Sequence, residues 1–204
     1  EPMAQRQGDE VLVDTGALSF AVDAHGQIVD LARGDESLLA PGMGCATTLV
    51  DEAGVTYRAA LGEAEVEIEE NGPVRTVIKT VGHLADEAGN QSFRIEQRIE
   101  AYRGAPYLRV HHTFLNDLEP GFTNIESLSY QVPIAGGASW RAPLVEGDAL
   151  QLKAGGPGVR QGFDKEFVLG DDATEGRVTG AVLSEDADGC AVAVRDFWQN
   201  YPKG

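Results

Sequence analysis

The chain has 204 residues, 16 basic and 33 acidic, for a formal net charge of -17. That balance argues against nucleic acid and anionic membrane surfaces as partners, but it leaves an acidic ligand open, because a local group of arginines can oppose the global field. No apolar run approaches the ~20 residues of a membrane-spanning helix, and a chain of this length buries a core without a metal or disulfide staple.

Helix signals are nearly absent. Glycine occurs 25 times, and turn pairs recur at His25-Gly26, Ala53-Gly54, Asn71-Gly72, Ala88-Gly89, Arg103-Gly104 and Asp188-Gly189. Short segments of period-two alternation lie between them. Regular short strands split by glycine turns predict an all-β, antiparallel sandwich or barrel. Strands are expected near 10–14, 17–23, 27–32, 45–50, 55–60, 63–70, 73–82, 91–102, 106–116, 124–133, 149–153, 177–184 and 189–196.

The first strands form a meander in which Leu18, Phe20 and Val22 alternate with Ser19, Ala21 and Asp23. A hairpin across Asp51–Gly54 follows. Residues 63–70 then alternate strictly, with Glu63, Glu65, Glu67 and Glu69 opposed to Ala64, Val66 and Ile68. This acidic row reads as a solvated face or a protected sheet edge. A calcium site is the sharper alternative, although calcium ligands usually converge from a loop. Arg75, after Gly72-Pro73-Val74, reaches either a polar face or the glutamate row. Neither His25 nor His83 has a recognisable partner in the sequence.

Residues 91–116 give the clearest hairpin, around Arg103-Gly104-Ala105-Pro106. Setting Tyr102 against Tyr107 pairs Ala101 with Leu108, Ile99 with Val110 and Ile95 with Phe114, all on one apolar face. The other face then pairs Glu100 with Arg109, Arg98 with His111 and Glu96 with Thr113. A slip of one residue sets Ile99 against Arg109, so the first register is preferred. Glu96, Arg98, Glu100, Arg109 and His111 are therefore the best candidate cluster for binding. Arg98 or Arg109 can clamp a uronate carboxylate, and His111 can act as a general base. The plainer reading is a solvent-facing sheet with ordinary cross-strand ion pairs. His111 and His112 point to opposite faces, so they cannot chelate one metal. His112 reads as a hydrogen-bonded core histidine.

The stretch 134–176 is rich in Gly, Ala and Pro and reads as an irregular insertion carrying Trp140, Arg141, Arg160, Gln161 and Phe163. Its Gly155–Gly158 run is no phosphate loop, because no Lys-Ser/Thr and no helix follow. Cys190 sits in an apolar run where a thiol behaves as a small hydrophobe. A single disulfide with Cys45 is the other possibility. With no Cys-x-x-Cys and no His-x-x-x-His, no metal and no cofactor are expected. Nothing supports Ser-His-Asp catalysis. A carboxylate pair for glycoside hydrolysis stays open only because acidic residues are abundant.

The last residues, 195–204, combine Phe197, Trp198 and Tyr201 with Gln199, Asn200 and Lys203. We expect a junction to a missing C-terminal domain, so that the chain is a fragment of a larger multidomain protein and 1–204 its single central domain. Trp198, Tyr201 and Lys203 are candidates for sugar contact by stacking and hydrogen bonding. Alternatively, Phe197 and Trp198 pack against the missing neighbour.

Arg195-Asp-Phe-Trp-Gln-Asn-Tyr-Pro-Lys203 resembles a segment of the exo-rhamnogalacturonan lyase and YetA-like family. Three more stretches agree: Asp14–Phe20, Asn71–Arg75, and Arg98–Tyr107 with His111–Phe114. The resemblance covers nearly the whole chain. It implies the central β-sandwich, of supersandwich or galactose-mutarotase-like type, in a bacterial, secreted or periplasmic polysaccharide lyase. It further implies β-elimination at a uronic acid, an acidic polysaccharide or oligosaccharide as partner, adjacent domains of the same chain that include an α/α toroid, and no activity for this piece alone. No catalytic residue is carried over. Two other readings compete: a stand-alone carbohydrate-binding module, and a mutarotase-like sugar isomerase using His111 with Glu96 or Glu100.

Overall fold

The computed structural model describes residues 1–117, 124–185, 189–197 and 199. The chain divides into two compact units, Glu1–Ala135 and Gly136–Gly204. Every strand pairing among the described residues is antiparallel.

In the first unit, β1 (Ala4–Gln7), β2 (Glu10–Asp14), β3 (Ser19–Val22), β4 (Ile28–Arg33) and β5 (Glu36–Ser37) form a meander in chain order. The next strands are β6 (Ala46–Asp51), β7 (Thr56–Arg58), β8 (Ala64–Asn71), β9 (Arg75–Ala85), β10 (Gln91–Tyr102), β11 (Leu108–Leu115) and β12 (Ile125–Gln131). They make a second sheet in the order β11-β10-β9-β7-β6-β12, with β8 also paired to β9.

This second sheet folds over on itself. Its two halves join through one residue pair, Arg58 with Ala85. His112 on β11 meets Thr47 on β6, Nε2 to Oγ1 at 2.8 Å, although three strands separate them in the sheet order. Phe93 on β10 likewise meets Tyr57 on β7, with ring centroids 6.2 Å apart. One layer is therefore β8–β11. The facing layer is β6, β7 and β12, extended into the five-stranded meander through a bridge from Ile28 to Cys45.

Apolar side chains from both layers fill the space between. One cluster joins Val11, Val13, Phe20, Val22 and Ile28 to Ile78, Ile99 and Ala101. A second joins Leu49 and Ala59 to Leu84, Phe93 and Ile95. The unit is an all-β antiparallel sandwich, one of the two architectures that the alternation allows and the one that the family resemblance implies. At Gly62 the chain runs so close to β9 that a Cβ would lie 1.7 Å from the His83 carbonyl oxygen. Only glycine fits there.

In the second unit, β13 (Ser139–Ala142), β14 (Leu150–Lys153), β15 (Val159–Phe163), β16 (Glu166–Leu169), β17 (Asp172–Glu175), β18 (Ala181–Ser184) and β19 (Ala191–Ala193) form two small sheets, β14-β13-β18-β19 and β15-β16-β17. Five of these strands fall inside 134–176: β14 is the strand expected near 149–153, and the other four correct the expectation that the rest of this stretch is irregular. Their signal is weak because little of each strand is buried. β17 exposes all four of its side chains, so no apolar alternation marks it.

Ala142, Phe167, Val178 and Phe197 form the core of this unit. Phe197 was expected to face a missing neighbour, but it is buried within its own unit. It packs on Gly180, where φ is +82° and a Cβ would lie 2.2 Å from the Phe197 Cβ. Cys45 is a buried thiol, Cys190 is half-buried, and no disulfide joins them.

Gln161 is fully buried and polar. Its Oε1 accepts from the Val178 amide at 2.9 Å, and its Nε2 faces the carbonyls of Phe163, Glu166 and Gly176 at 2.6, 3.0 and 3.2 Å. One side chain thus ties together three segments of the unit, with no unmet polar atom of its own. Replacing it orphans a buried amide and several carbonyls, each loss costing about 1–3 kcal/mol. Gln161→Leu should therefore lower the unfolding free energy of the second unit by that order, and with it the urea midpoint, while leaving the first unit unchanged. Both tryptophans, Trp140 and Trp198, belong to the second unit. Their fluorescence during urea unfolding reads that unit, and far-ultraviolet circular dichroism adds the first.

Candidate functional site on the outer face of the hairpin layer

The β10–β11 hairpin has the register expected from its sequence: Ala101 opposes Leu108, Glu100 Arg109, Ile99 Val110, Arg98 His111, Glu96 Thr113 and Ile95 Phe114. Period-two alternation then separates two faces. Ile95, Gln97, Ile99 and Ala101 are buried. Glu96, Arg98, Glu100, Tyr102, Arg109 and His111 share the outer face. Pairing with β8 and β9 extends this face into rows, Glu67-Lys79-Arg98-His111 and Glu70-Val77-Glu100-Arg109.

Arg98 is held by two carboxylates. Its Nε and Nη2 donate to the two oxygens of Glu69 at 2.7 and 3.0 Å, and its Nη1 donates to Glu96. These bonds hold the Glu69 carboxyl below its ordinary range and make the guanidinium harder to deprotonate. Glu69 is the extra residue where the β8–β9 register shifts between Ile68 and Glu70, a bulge that places two successive glutamates beside the face. The second, Glu70, pairs with Arg75 at 3.0 Å, so Arg75 joins the glutamate row. Exposed pairs of this kind contribute only about 0–1 kcal/mol each. They fix side-chain positions more than they stabilise the fold.

Glu100 is held from two sides. The Tyr102 hydroxyl donates to Oε2 at 2.8 Å, and His111 Nε2 lies 3.6 Å from Oε1. The Tyr102 bond is the main reason the Glu100 carboxyl sits below its usual range, with Arg75 and His111 adding to it. The same bond pushes the Tyr102 phenol up. Arg109 has its Cζ 5.9 Å from the ring centroids of both Tyr102 and Tyr107, which are 6.1 Å apart.

The five hairpin candidates Glu96, Arg98, Glu100, Arg109 and His111 thus share one surface. Trp198, Tyr201 and Lys203 lie outside the described residues. Trp140 is half-buried, and its Nε1 donates to the Gly137 carbonyl at 3.1 Å. Two histidines expected to lack partners have them: His25 Nδ1 is 2.8 Å from the Gly62 carbonyl oxygen, and His83 Nε2 is 3.1 Å from Asp117 Oδ2. Among the described residues no group of His, Cys, Asp or Glu is placed to hold a metal ion. Sequence reasoning missed Tyr102, Tyr107 and Glu69 as members of the face. The two tyrosines follow the same period-two step as Glu100 and Arg109. Glu69 needed the bulge, which the sequence does not mark.

His112 points inward, as expected, bonded to Thr47 and with its ring centroid 5.6 Å from that of Tyr130. Burial lowers its pKa from the ordinary 6.5, so the unfolded chain takes up the proton more readily than the folded one. The contribution of His112 is fully present above about pH 6.5 and drains as pH falls through that value toward the folded pKa. Thermal melts across this range should show the first unit losing stability on acidification. His112→Gln should flatten that part of the profile. The other three histidines are common to both chains, so the difference isolates His112.

Comparison with known proteins adds the family. The model of the PcRGLX-like protein central β-sandwich domain matches residues 3–140, more than half of the chain. The match ends close to the unit boundary at Ala135. It includes the hairpin and the outer face but not Arg195–Lys203, the segment that carried most of the resemblance in the sequence. A comparison with curated proteins finds no match. The chain therefore belongs to the PcRGLX-like family, and its residues 3–140 are the central β-sandwich domain of a rhamnogalacturonan lyase-like protein.

Proposed function

We propose that this chain is the sandwich module of a polysaccharide lyase acting on acidic, rhamnogalacturonan-type glycans. In this reading it lines the substrate cleft with the outer face of β8–β11 and supports a toroid domain supplied by a longer chain. The observation that carries the reading is that face itself. It belongs to the family-matched segment, holds Arg98 and Glu100 through hydrogen bonds, sets Arg109 beside two tyrosine rings and brings His111 within 3.6 Å of Glu100. A sugar-facing wall needs such preset donors and acceptors, because polar groups already ordered lose little entropy on binding.

The approach of His111 to Glu100, 3.6 Å, favours one rival. A base oriented by a carboxylate suits a mutarotase-like isomerase as well as a lyase. The two differ in product.

Rhamnogalacturonan oligosaccharides incubated with the longer protein should yield unsaturated uronides, detected by their ultraviolet absorbance. The 204-residue chain alone should yield none. A longer protein that forms no unsaturated product from any acidic glycan would overturn the lyase reading. Sugar mutarotation by the chain, abolished in His111→Ala, would install the isomerase instead.

A further inference from the structure

Arg109 differs from its neighbours on the outer face. Arg98 holds Glu69 and Glu96, and Arg75 holds Glu70. Arg109 stands directly across from Glu100 in the register, yet the two do not pair. Glu100 is turned to other groups, with Oε2 accepting from Tyr102 and Oε1 facing His111. The guanidinium lies instead beside the rings of Tyr102 and Tyr107, each centroid 5.9 Å away. A cation–π contact does not consume the N–H donors of an arginine, which stay available in their planar fork. Among the described residues no carboxylate neutralises this cation, in a chain whose formal charge is -17. Tyr107 is 48% exposed, so ring surface is open beside the guanidinium.

We propose that Arg109 and Tyr107 form a subsite for one anionic sugar ring. The arginine donates paired hydrogen bonds to the sugar carboxylate, and the tyrosine stacks on the ring. The proposal rests on the reading that the outer face of β8–β11 meets the glycan. Tyr102 is its positioning residue. Its hydroxyl draws Glu100 away from Arg109, and its ring supports the guanidinium. Without that hydroxyl, Glu100 is released to pair with the arginine across the strands, and it then competes with the ligand.

The test compares digalacturonate with its methyl ester, the same rings without the charge, by calorimetric titration of the 204-residue chain. The acid should bind about tenfold more tightly than the ester. Arg109→Ala should abolish that preference, and Arg33→Ala should leave it intact. Tyr102→Phe should weaken binding of the acid several-fold while leaving the ester unchanged, a pattern that general loosening of the fold would not give. Circular dichroism checks that each variant is folded. Equal binding of acid and ester by the parent chain, or a preference that survives Arg109→Ala, overturns the subsite. Binding of neither sugar by the folded chain overturns it too, while the product assay of the longer protein decides the wider lyase reading separately.

Discussion

The register of the β10–β11 hairpin governs the rest of the first unit. Ile95, Ile99 and Ala101 face inward only if Glu96, Arg98 and Glu100 face outward. A slip of one residue would exchange the two sets and bury unpaired charges, at a cost far beyond any surface contact. The same register brings His112 inward to Thr47 and so helps to close the two halves of the folded sheet. It also brings Arg109 into line with His111 on the solvent side. Core, closure and candidate site are consequences of one pairing.

The outer face follows from what its charges can reach. Arg98 has five donors and is met by two carboxylates, one of them delivered by the bulge at Glu69. Glu100 is drawn to Tyr102 and His111. Since each exposed pair is worth at most about 1 kcal/mol, the fold does not need this arrangement for its stability. Its effect is to direct Arg98 and Glu100 toward partners on their own face. Among the described residues Arg109 meets a pair of aromatic rings and no carboxylate. The chemical character of the face comes from that distribution more than from the number of charges.

The sequence made the first unit legible where period-two alternation and burial agree. The β10–β11 pairing, the inward His112 and the shared face of Glu96, Arg98, Arg109 and His111 all follow from counting by two. Strands without an apolar face were invisible. Ala4-Gln-Arg-Gln7 exposes three of its four side chains, and Asp172–Glu175 exposes all of them, so pairing with neighbours defines those strands and hydrophobicity does not. Gln161 stands in a stretch whose composition marks it as irregular. It is a buried crosslink whose partners, Val178 and Gly176, lie too far along the chain for local pattern to reveal. Phe197 stands among polar residues, a setting that suits an interface aromatic as well as a core one. The complementary glycine at position 180 is what accepts it.

The proposal that the charged face of this rhamnogalacturonan lyase-like sandwich meets the glycan is a direct structural claim. The decisive measurement is a crystal structure of the longer protein with an acidic rhamnogalacturonan oligosaccharide bound. The account predicts a uronate carboxylate within hydrogen-bond distance of Arg109, with its ring against Tyr107 and with His111 facing the same sugar. An oligosaccharide seated wholly on other surfaces, with Arg109 and Tyr107 left in solvent, would contradict it.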